Sequence, residues 1–373
     1  MTEKHLHIVT HDVPWPADFG GVVDLFYKIK TLHQYGIKIH LHCFTSKRPE
    51  QPELDKYCES VAYYPRNKSI SAVSFRLPFI VSSRKSAALI TALQRDDYPV
   101  LLEGIHCTYP LFSGALHNRK VLVRLHNAEF EYYHHLAAYE TGFFKKLYYN
   151  LESRLLKKYE AVIAEKAVIA AVSDHDVSLY QHLFKAPHIS YVPVFLPYTA
   201  VEATVEKGCY CLYHGNLSIN ENEIAAIWLL QNVFSQINIP FVIAGKNPSQ
   251  KLEHLAHQQK NTCLVANPND KELQDLIRKA QINILPSFNN TGVKLKLLNA
   301  LYNGKFCLVN KAGAAGSGVE GACHIAESPQ QFQRKVTQLY NHPFDVEEIE
   351  KREKLLLQYD NYSNAEKLIA LLW

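Results

Sequence analysis

Two lysines near the start of a predicted helix are the strongest chemical signal in the sequence. In PSFNNTGVKLKLLNALYNGKFCLVN, residues 286–310, a polar loop containing Gly292 follows a strand and leads into a helix that carries Lys294 and Lys296. Cations are unfavourable at the positive end of a helix dipole, and a bound polyanion would relieve that cost. Lys246, at the end of the strand FVIAG, can supply a third phosphate contact. The alternative for such lysines is a solvated helix face.

A second group of polar residues follows the apolar strand of VLVRLHNAEFEYY. Arg124, His126, Asn127 and Glu129 come at its carboxyl end, which is where ligands bind in open α/β sheets. A single histidine is more often structural than catalytic, and this chain has 19 of them. Four polar side chains together favour a functional site. His126 and Asn127 are therefore the candidate catalytic residues.

Two loops between a strand and a helix also have the composition of ligand sites. PWPADFGG ends in Gly20 and Gly21, which would let backbone N–H groups and the positive end of the next helix approach an anion. A tight turn would require glycine for steric reasons alone. HGNLSINENE, with Asn216, takes the corresponding place in the second half of the chain. There Ser218 or Asn220 can cap the next helix without any ligand.

The arrangement of these segments predicts two domains. Short β-branched runs alternate with amphipathic stretches, which is typical of parallel sheets flanked by helices. The alternation stops in PVFLPYTAVEATVEKG and then restarts, so we expect an interdomain linker there. We predict an α/β protein with two Rossmann-like domains, residues 1–197 and 198–355, whose strand ends face a common cleft. A last segment, 356–373, contains a helix that can belong to the second domain or cross back to the first.

The same pattern gives element bounds that can be checked individually. Helices are predicted over 143–165, 270–279, 294–302 and 329–341. A strand is predicted over 209–213, where Cys209 and Cys211 are spaced to share one buried face.

Composition excludes several other classes of protein. The 373 residues are 47% hydrophobic and 20% charged, as in globular proteins, and no run is apolar enough for a membrane span. The N-terminus lacks the pattern of a secretory signal, so a cytoplasmic protein is expected. A net charge of +4 is low for a nucleic-acid-binding protein. The eight cysteines form no CxxC pair, and no GxGxxG follows the first strand, which argues against a zinc site and a nicotinamide-dependent dehydrogenase.

Taken in order, the segments resemble the GT-B glycosyltransferases of family 4. The resemblance rests on PWPADFGG, RLHNAEFEYY, YHGNLSINEN, the Gly-Lys pair of FVIAGKNP and NTGVKLKLLNALYNGKFCLV, and it spans nearly the whole chain. It implies a retaining transfer from a nucleoside diphosphate sugar, a UDP- or GDP-sugar, to a glycan or lipid-linked acceptor. It also implies that no metal or other cofactor is required, because cationic side chains and a helix end neutralise the departing diphosphate.

The resemblance assigns a role to each candidate residue. Gly20 and Gly21 would lie by the diphosphate and the acceptor, and His126 would contact the donor sugar. Lys246 and Lys294 would hold phosphates, with Lys296 beside them, and the backbone of 265–267 would meet the base. Asn299 falls where the family generally has a glutamate that binds the ribose.

The sequence departs from the family pattern at that ribose-binding position and in two further respects. The usual pair of glutamates, eight positions apart, corresponds to Thr291 and Asn299, so both acids are replaced. HGNLSINENE lacks the arginine and lysine common in that loop. These departures leave open a GT-B epimerase acting on a nucleotide-sugar, or a non-catalytic partner module that binds a nucleotide-sugar.

A basic, aromatic segment raises the question of a membrane. Residues 141–160, TGFFKKLYYNLESRLLKKYE, interleave phenylalanine and tyrosine with lysine and arginine. Such a helix can lie on an anionic bilayer, where a lipid-linked acceptor would be found, giving a peripheral contact at the inner face of the membrane. The alternative is an ordinary domain helix that buries its aromatic side chains.

Overall fold

The computed structural model describes residues 3–18, 20–46, 48–140 and 142–373. The chain forms two compact units. The first unit is Met1–Pro197 with Gln358–Trp373, and the second unit is Tyr198–Leu357. Within the described residues, none of the helices combines the length and the apolar character that crossing a membrane would need.

The first unit contains a seven-stranded sheet in which every strand pair is parallel, in the order β3-β2-β1-β4-β5-β6-β7. Its strands are β1 His5–Thr10, β2 Lys38–Thr45, β3 Ser60–Pro65, β4 Val100–Glu103, β5 Val121–Leu125, β6 Val168–Ala171 and β7 Ile189–Tyr191. Its helices are α1 Gly20–Gln34, α2 Phe79–Ser82, α3 Ala87–Leu93, α4 Tyr109–Phe112, α5 Glu129–Tyr139, α6 Phe143–Lys166 and α7 Asp174–Phe184.

The second unit contains a six-stranded parallel sheet in the order β10-β9-β8-β11-β12-β13. Its strands are β8 Cys211–Asn216, β9 Phe241–Lys246, β10 Thr262–Ala266, β11 Ile282–Ile284, β12 Phe306–Val309 and β13 His324–Ile325. Its helices are α8 Asn220–Leu229, α9 Gln250–His257, α10 Asp270–Lys279, α11 Leu295–Asn303, α12 Lys311–Ala314, α13 Pro329–Asn341 and α14 Val346–Leu356. The two parallel sheets confirm the predicted α/β fold class.

The final helix, α15 Asn361–Leu372, packs in the first unit. Its apolar side chains Leu368 and Leu372 join the buried cluster that contains Ile29 of α1 and Leu41 of β2. The side chain of Asn361 accepts a hydrogen bond from Leu196 N at 2.9 Å and donates one to Leu196 O at 2.8 Å. Burial of the apolar face and this paired amide contact hold the C-terminus on the first sheet.

The core of the first unit lies on both faces of its sheet. Alternate residues of β1 and β2 point to α1 and α15 on one side and to α3, α4 and α6 on the other, because side chains in a strand alternate between faces. Parallel pairing of β4 with β1 and with β5 brings the carboxyl ends of these strands to one edge of the sheet, and α1 is the helix that follows β1 in the chain. The polar residues that end or follow these strands therefore lie at that edge.

Candidate functional site

A buried group of charges lies at the strand ends of the first unit. Asp24 and Lys28 lie on one face of α1, and Glu103 is the last residue of β4. Arg124 lies in β5, and His126 is the residue that follows that strand. The Lys28 ammonium lies 2.8 Å from Asp24 Oδ2, and 2.8 Å and 3.0 Å from the two oxygens of Glu103. Arg124 donates to Asp24 at 3.3 Å and to Pro193 O at 2.8 Å. We call these five residues the buried charge cluster.

The cluster is held in its charged form. Burial alone would raise the pKa of Asp24 and Glu103, but the neighbouring cations, Lys28 first, hold both pKa values below their usual range. Lys28, Glu103 and Arg124 are completely buried. A cation at hydrogen-bond distance is what makes an ionised carboxylate tolerable at such depth.

His126 lies between the two carboxylates. Its Nε2 is 2.9 Å from Glu103 Oε2, and its Nδ1 is 3.7 Å from Asp24 Oδ2. The ring is partly exposed, so one edge reaches solvent while the acids fix its orientation. The neighbouring Asn127 hydrogen-bonds Glu129, whose pKa burial raises to about 8. The two predicted catalytic residues are thus adjacent, each held by a buried acid.

Among the described residues of this unit, two groups have the composition of a metal site. Asp24, Glu103 and His126 offer ligand atoms within 4.8 Å of one another. The Lys28 ammonium is bound to both carboxylates, so a metal would have to displace an internal cation. Glu131, His175 and Asp176 form the other group. There Asp176 already accepts from Ser173 Oγ at 2.8 Å and from Ala128 N at 3.4 Å.

Gly20 and Gly21 form the first turn of α1. Gly20 is exposed and Gly21 partly so, and the first turn of the helix carries no acidic residue. The positive end of α1 is therefore not neutralised from within its own first turn. Asp24 and Lys28 follow on the same helix, which links the glycine turn to the buried charge cluster.

In the second unit, the loop of residues 285–294 leads from β11 into α11, and its own polar side chains close it through hydrogen bonds. Within this loop Thr291 donates to Asn289 Oδ1 through its N and its hydroxyl, both at 2.8 Å. Ser287 Oγ donates to Glu221 Oε1 at 2.9 Å, and Ser287 N donates to Asn310 Oδ1 at 2.9 Å. Gly292 has a φ of +61°, a conformation that glycine adopts without strain. The loop is thus fixed by its own polar side chains.

The two lysines of the motif have different surroundings. Lys294 is the N-cap residue of α11, and its Nζ donates to Thr291 O at 2.6 Å. Lys296, in the first turn, donates to Asn222 Oδ1 at 3.0 Å and lies 4.8 Å from the centre of the Tyr213 ring. Burial lowers the pKa of Lys296 to about 8 and, with Lys296 beside it, lowers the pKa of His214 to about 3. The helix therefore starts with two cations and no acid.

Asn216 and Lys246 end the neighbouring strands β8 and β9 and are paired in register. The strands approach closely here, since a Cβ on Gly245 would lie 1.9 Å from Gly215 O. Asn216 O accepts from Asn222 Nδ2 at 2.9 Å, and Asn222 in turn binds Lys296. Asn216, Lys246, Lys294 and Lys296 are thus at the same edge of the second sheet. Lys246 is exposed.

The remaining predicted residues lie around this edge. Asn299, one turn further along α11, accepts from Asn303 Nδ2 at 2.9 Å. Asn267, after β10, has a φ of +54° and accepts from Asn247 N at 2.8 Å. The prediction that Ser218 or Asn220 caps α8 is wrong, because Ile219 is the N-cap residue of this helix. Ser218 Oγ instead donates to Asn216 Oδ1 at 2.7 Å.

The sequence analysis missed Asp24, Lys28 and Glu103. Two signals pointed to them. Asp24 and Lys28 are spaced i, i+4 on α1 among the buried apolar residues Leu25, Phe26 and Ile29, and Glu103 ends an apolar strand. Their contact across 75 residues of sequence is visible only in the fold.

Comparison with known proteins identifies the architecture. Residues 208–342 match the family model described as "Glycosyl transferases group 1". The chain is 28% identical over 330 residues, 83% of this chain and 84% of the relative, to an "uncharacterized 44.6 kDa protein in cps region" of Klebsiella pneumoniae.

Solved structures share the fold at low identity. Sucrose-phosphate synthase from Thermosynechococcus elongatus superposes with a TM-score of 0.74 at 14% identity, over 99% of this chain and 98% of that one. TarM of S. aureus, in complex with fondaparinux, α-GlcNAc-glycerol and UDP, gives 0.69 at 12% identity, over 99% of both chains. An E. coli trehalose-6-phosphate protein bound with UDP-2-fluoro glucose gives 0.63 at 10%, over 99% of both. The chain has the GT-B fold, and residues 208–342 of its second unit match the group 1 glycosyltransferase model.

Proposed function

We propose that this protein transfers a sugar, with retention, from a UDP- or GDP-sugar to a glycan or lipid-linked acceptor, without a metal ion. The observation that carries the proposal is the start of α11, where Lys294 and Lys296 follow a polar loop and the first turn of the helix contains no acidic residue. The structural relatives solved with UDP or a UDP-sugar support a nucleotide donor.

The diphosphate would bind at this helix start. The N-cap residue Lys294 makes no side-chain cap, so the side-chain acceptor that often meets the first N–H groups of a helix is missing from α11. A phosphate supplies such acceptors and takes up the positive end of the helix dipole. It would also favour the charged form of Lys296, whose pKa is lowered in the unliganded protein. Lys246 and Asn216 at the same edge of the sheet extend the contact.

These cations also support the proposal that no metal is needed. Charge develops on the leaving diphosphate as the sugar departs, and oriented donors and cations stabilise that charge. In the first unit we assign His126 to the donor sugar, with Asn127 beside it, and Gly20 and Gly21 to the diphosphate and the acceptor. Glu103 holds the His126 ring in place.

Two polar residues stand where the family has acids. We propose that Asn299 binds the ribose through its amide, and that Thr291 acts by shaping the loop, since its hydroxyl is bound to Asn289. An amide binds a hydroxyl without the added strength of a charged acceptor. The donor is therefore expected to bind more weakly than through a pair of glutamates.

A panel of UDP-, GDP- and ADP-sugars tests donor binding. We expect one nucleotide-sugar to raise the melting temperature, because a ligand at 100 times its Kd stabilises the folded state by about 2.7 kcal/mol. Incubating that donor alone, followed by sugar analysis, separates a transferase from an epimerase, which alters the sugar without an acceptor. If neither a nucleotide-sugar nor a nucleoside diphosphate raises the melting temperature at millimolar concentration, the proposed function is wrong.

Changing Lys294 to alanine tests the phosphate contact. The Lys294→Ala variant is expected to bind the nucleoside diphosphate about tenfold more weakly and the free nucleoside as the wild type does, because a charge-assisted hydrogen bond is worth about 1.5 kcal/mol or more. Titration calorimetry with both ligands gives the comparison, and Lys251→Ala, an exposed lysine of α9, is the matched control. Equal losses for nucleoside and diphosphate would remove the phosphate role from Lys294.

The proposal places the protein in the cytoplasm with a peripheral contact at the inner face of the membrane. Segment 141–160 carries that contact; Thr141 lies outside the described residues. The start of α6 leaves Phe143 and Phe144 exposed, in contrast to an ordinary domain helix that buries its aromatic side chains.

A further inference from the structure

Two neighbouring segments of the first unit expose large apolar side chains. In α6, Phe143 and Phe144 are 74% and 84% exposed, and Leu147 and Leu151 are about half exposed. The second segment, residues 66–77, has no regular structure beyond a 3-10 turn at Ile70–Ala72. Its Ile70 and Phe75 are 90% and 95% exposed, and Val73 is exposed as well. Large contiguous apolar patches are rare on monomeric proteins and mark surfaces that bind a partner or a membrane, so side chains exposed to this extent require an explanation.

Helix α2 and the residue at its end contact both segments, which brings the two segments close to each other. Segment 66–77 folds onto α2, since Ser82 Oγ donates to Ala72 O at 2.6 Å and Asn67 N donates to Ser83 O at 2.8 Å. Helix α2 in turn meets α6, where Glu152 Oε1 accepts from Ile80 N at 3.1 Å. The exposed residues Leu147 and Leu151 are within two turns of that contact.

The exposed charged side chains of these two segments are all basic. Segments 66–77 and 143–158 together contain eight basic residues and a single acidic one, Glu152, which is buried. Lys68, Arg76, Lys146 and Arg154 are exposed. Lys145 is exposed too and pairs with Glu140 at 2.7 Å. Exposed aromatic and aliphatic tips surrounded by lysine and arginine fit an anionic lipid surface, which receives the apolar groups between its headgroups and attracts the cations.

We propose that segments 66–77 and 143–158 form one two-part surface that binds an anionic bilayer, with Phe75 and Phe144 inserting and the basic residues contacting lipid headgroups. The inference that the acceptor is lipid-linked then follows, and this step rests on the proposed function. This surface differs from a single amphipathic helix because it includes segment 66–77. Substitutions confined to 66–77 must therefore weaken membrane binding by themselves.

Co-sedimentation with vesicles of defined composition tests the surface. The wild-type chain is expected to bind vesicles of equal phosphatidylglycerol and phosphatidylcholine, and to bind pure phosphatidylcholine far less. Two double variants are each expected to lower partitioning onto the anionic vesicles at least about tenfold: Phe75→Ser/Phe144→Ser and Lys68→Glu/Arg76→Glu. The matched control, Val346→Ser/Leu357→Ser, changes exposed apolar residues of the second unit and should bind as the wild type does.

Several outcomes would overturn the proposal. Wild-type protein that stays in the supernatant with anionic vesicles excludes an anionic bilayer as the partner, and variants that bind like the wild type exclude these two segments as the contact. A dimer that the phenylalanine variant dissociates, without any effect on vesicle binding, would make the surface a protein interface. The melting temperature of each variant, with and without nucleotide-sugar, separates the two proposals. Donor binding without vesicle binding removes only the surface, and vesicle binding without donor binding removes only the proposed function.

Discussion

Replacing Lys28 with methionine is expected to lower the free energy of unfolding by about 3–5 kcal/mol. Methionine nearly fills the space of the lysine stem but removes the ammonium that lies 2.8 Å from both Asp24 and Glu103. Asp24 keeps Arg124 as a partner, so Glu103 becomes the carboxylate without a nearby lysine or arginine in the cluster. Because a domain is stable by only about 5–15 kcal/mol, this loss would be visible in chemical denaturation at neutral pH.

The same helix offers a matched control. Lys30→Met removes a lysine that lies outside the buried charge cluster, and it is expected to change the free energy of unfolding by less than about 0.5 kcal/mol. A second variant, Lys28→Met/Glu103→Gln, removes the charge of Glu103 together with its partner and should recover part of the loss. Equal stability of Lys28→Met and Lys30→Met would show that the cluster does not depend on its internal cation.

Acid is expected to destabilise the protein well above the pH at which carboxylates titrate. On one face of the first sheet, His7 Nδ1 is 2.9 Å from His42 Nε2, and His42 Nδ1 is 3.0 Å from the Tyr64 hydroxyl. Burial lowers the pKa of His42 to about 3, with His7 and His40 adding to the shift and Asp96 opposing it. Burial lowers the pKa of His7 and His40 as well.

The sign of the effect follows from these shifts. The unfolded chain binds protons near pH 6.5, whereas folded His42 stays neutral until about pH 3. The contribution of neutral His42 to the free energy of unfolding is therefore fully present above pH 6.5 and is lost as the pH drops toward 3. For one such histidine the loss is about 2 kcal/mol at pH 5. His42→Gln should reduce the slope of unfolding free energy against pH between 6.5 and 5. His182→Gln, at an exposed position of α7, is the control. An unchanged slope in His42→Gln would contradict this interpretation.

The regular elements could be predicted from the sequence because their periodicity is local. The predicted helices 270–279 and 329–341 agree with α10 and α13, and 143–165 differs from α6 by one residue. The strand predicted over 209–213 is shifted. It begins at Cys211, where the pairing with β9 starts, and Cys209, two residues before it, is exposed rather than buried. Identical residue types at i and i+2 did not reveal where the pairing starts.

The site was predictable only in part. The loop and lysines of 286–296 are contiguous, so their placement at a helix start could be read from the sequence. The buried charge cluster draws on α1, β4 and β5, and the sheet order that brings these together has no local signal. Likewise, the assignment of segment 66–77 to a lipid contact depends on the exposure of Phe75, since the sequence of this segment is equally consistent with a buried loop.

Hydrogen–deuterium exchange of the intact chain, with and without UDP or GDP, tests most directly whether the start of α11 holds a nucleoside diphosphate. We expect slower exchange at backbone amides within 292–298, where a bound phosphate would accept hydrogen bonds from the first turn, and loss of this protection in Lys294→Ala. Uridine and guanosine should protect this stretch far less. No protection of 292–298 by either diphosphate at saturating concentration, or equal protection by the free nucleoside, would contradict the claim.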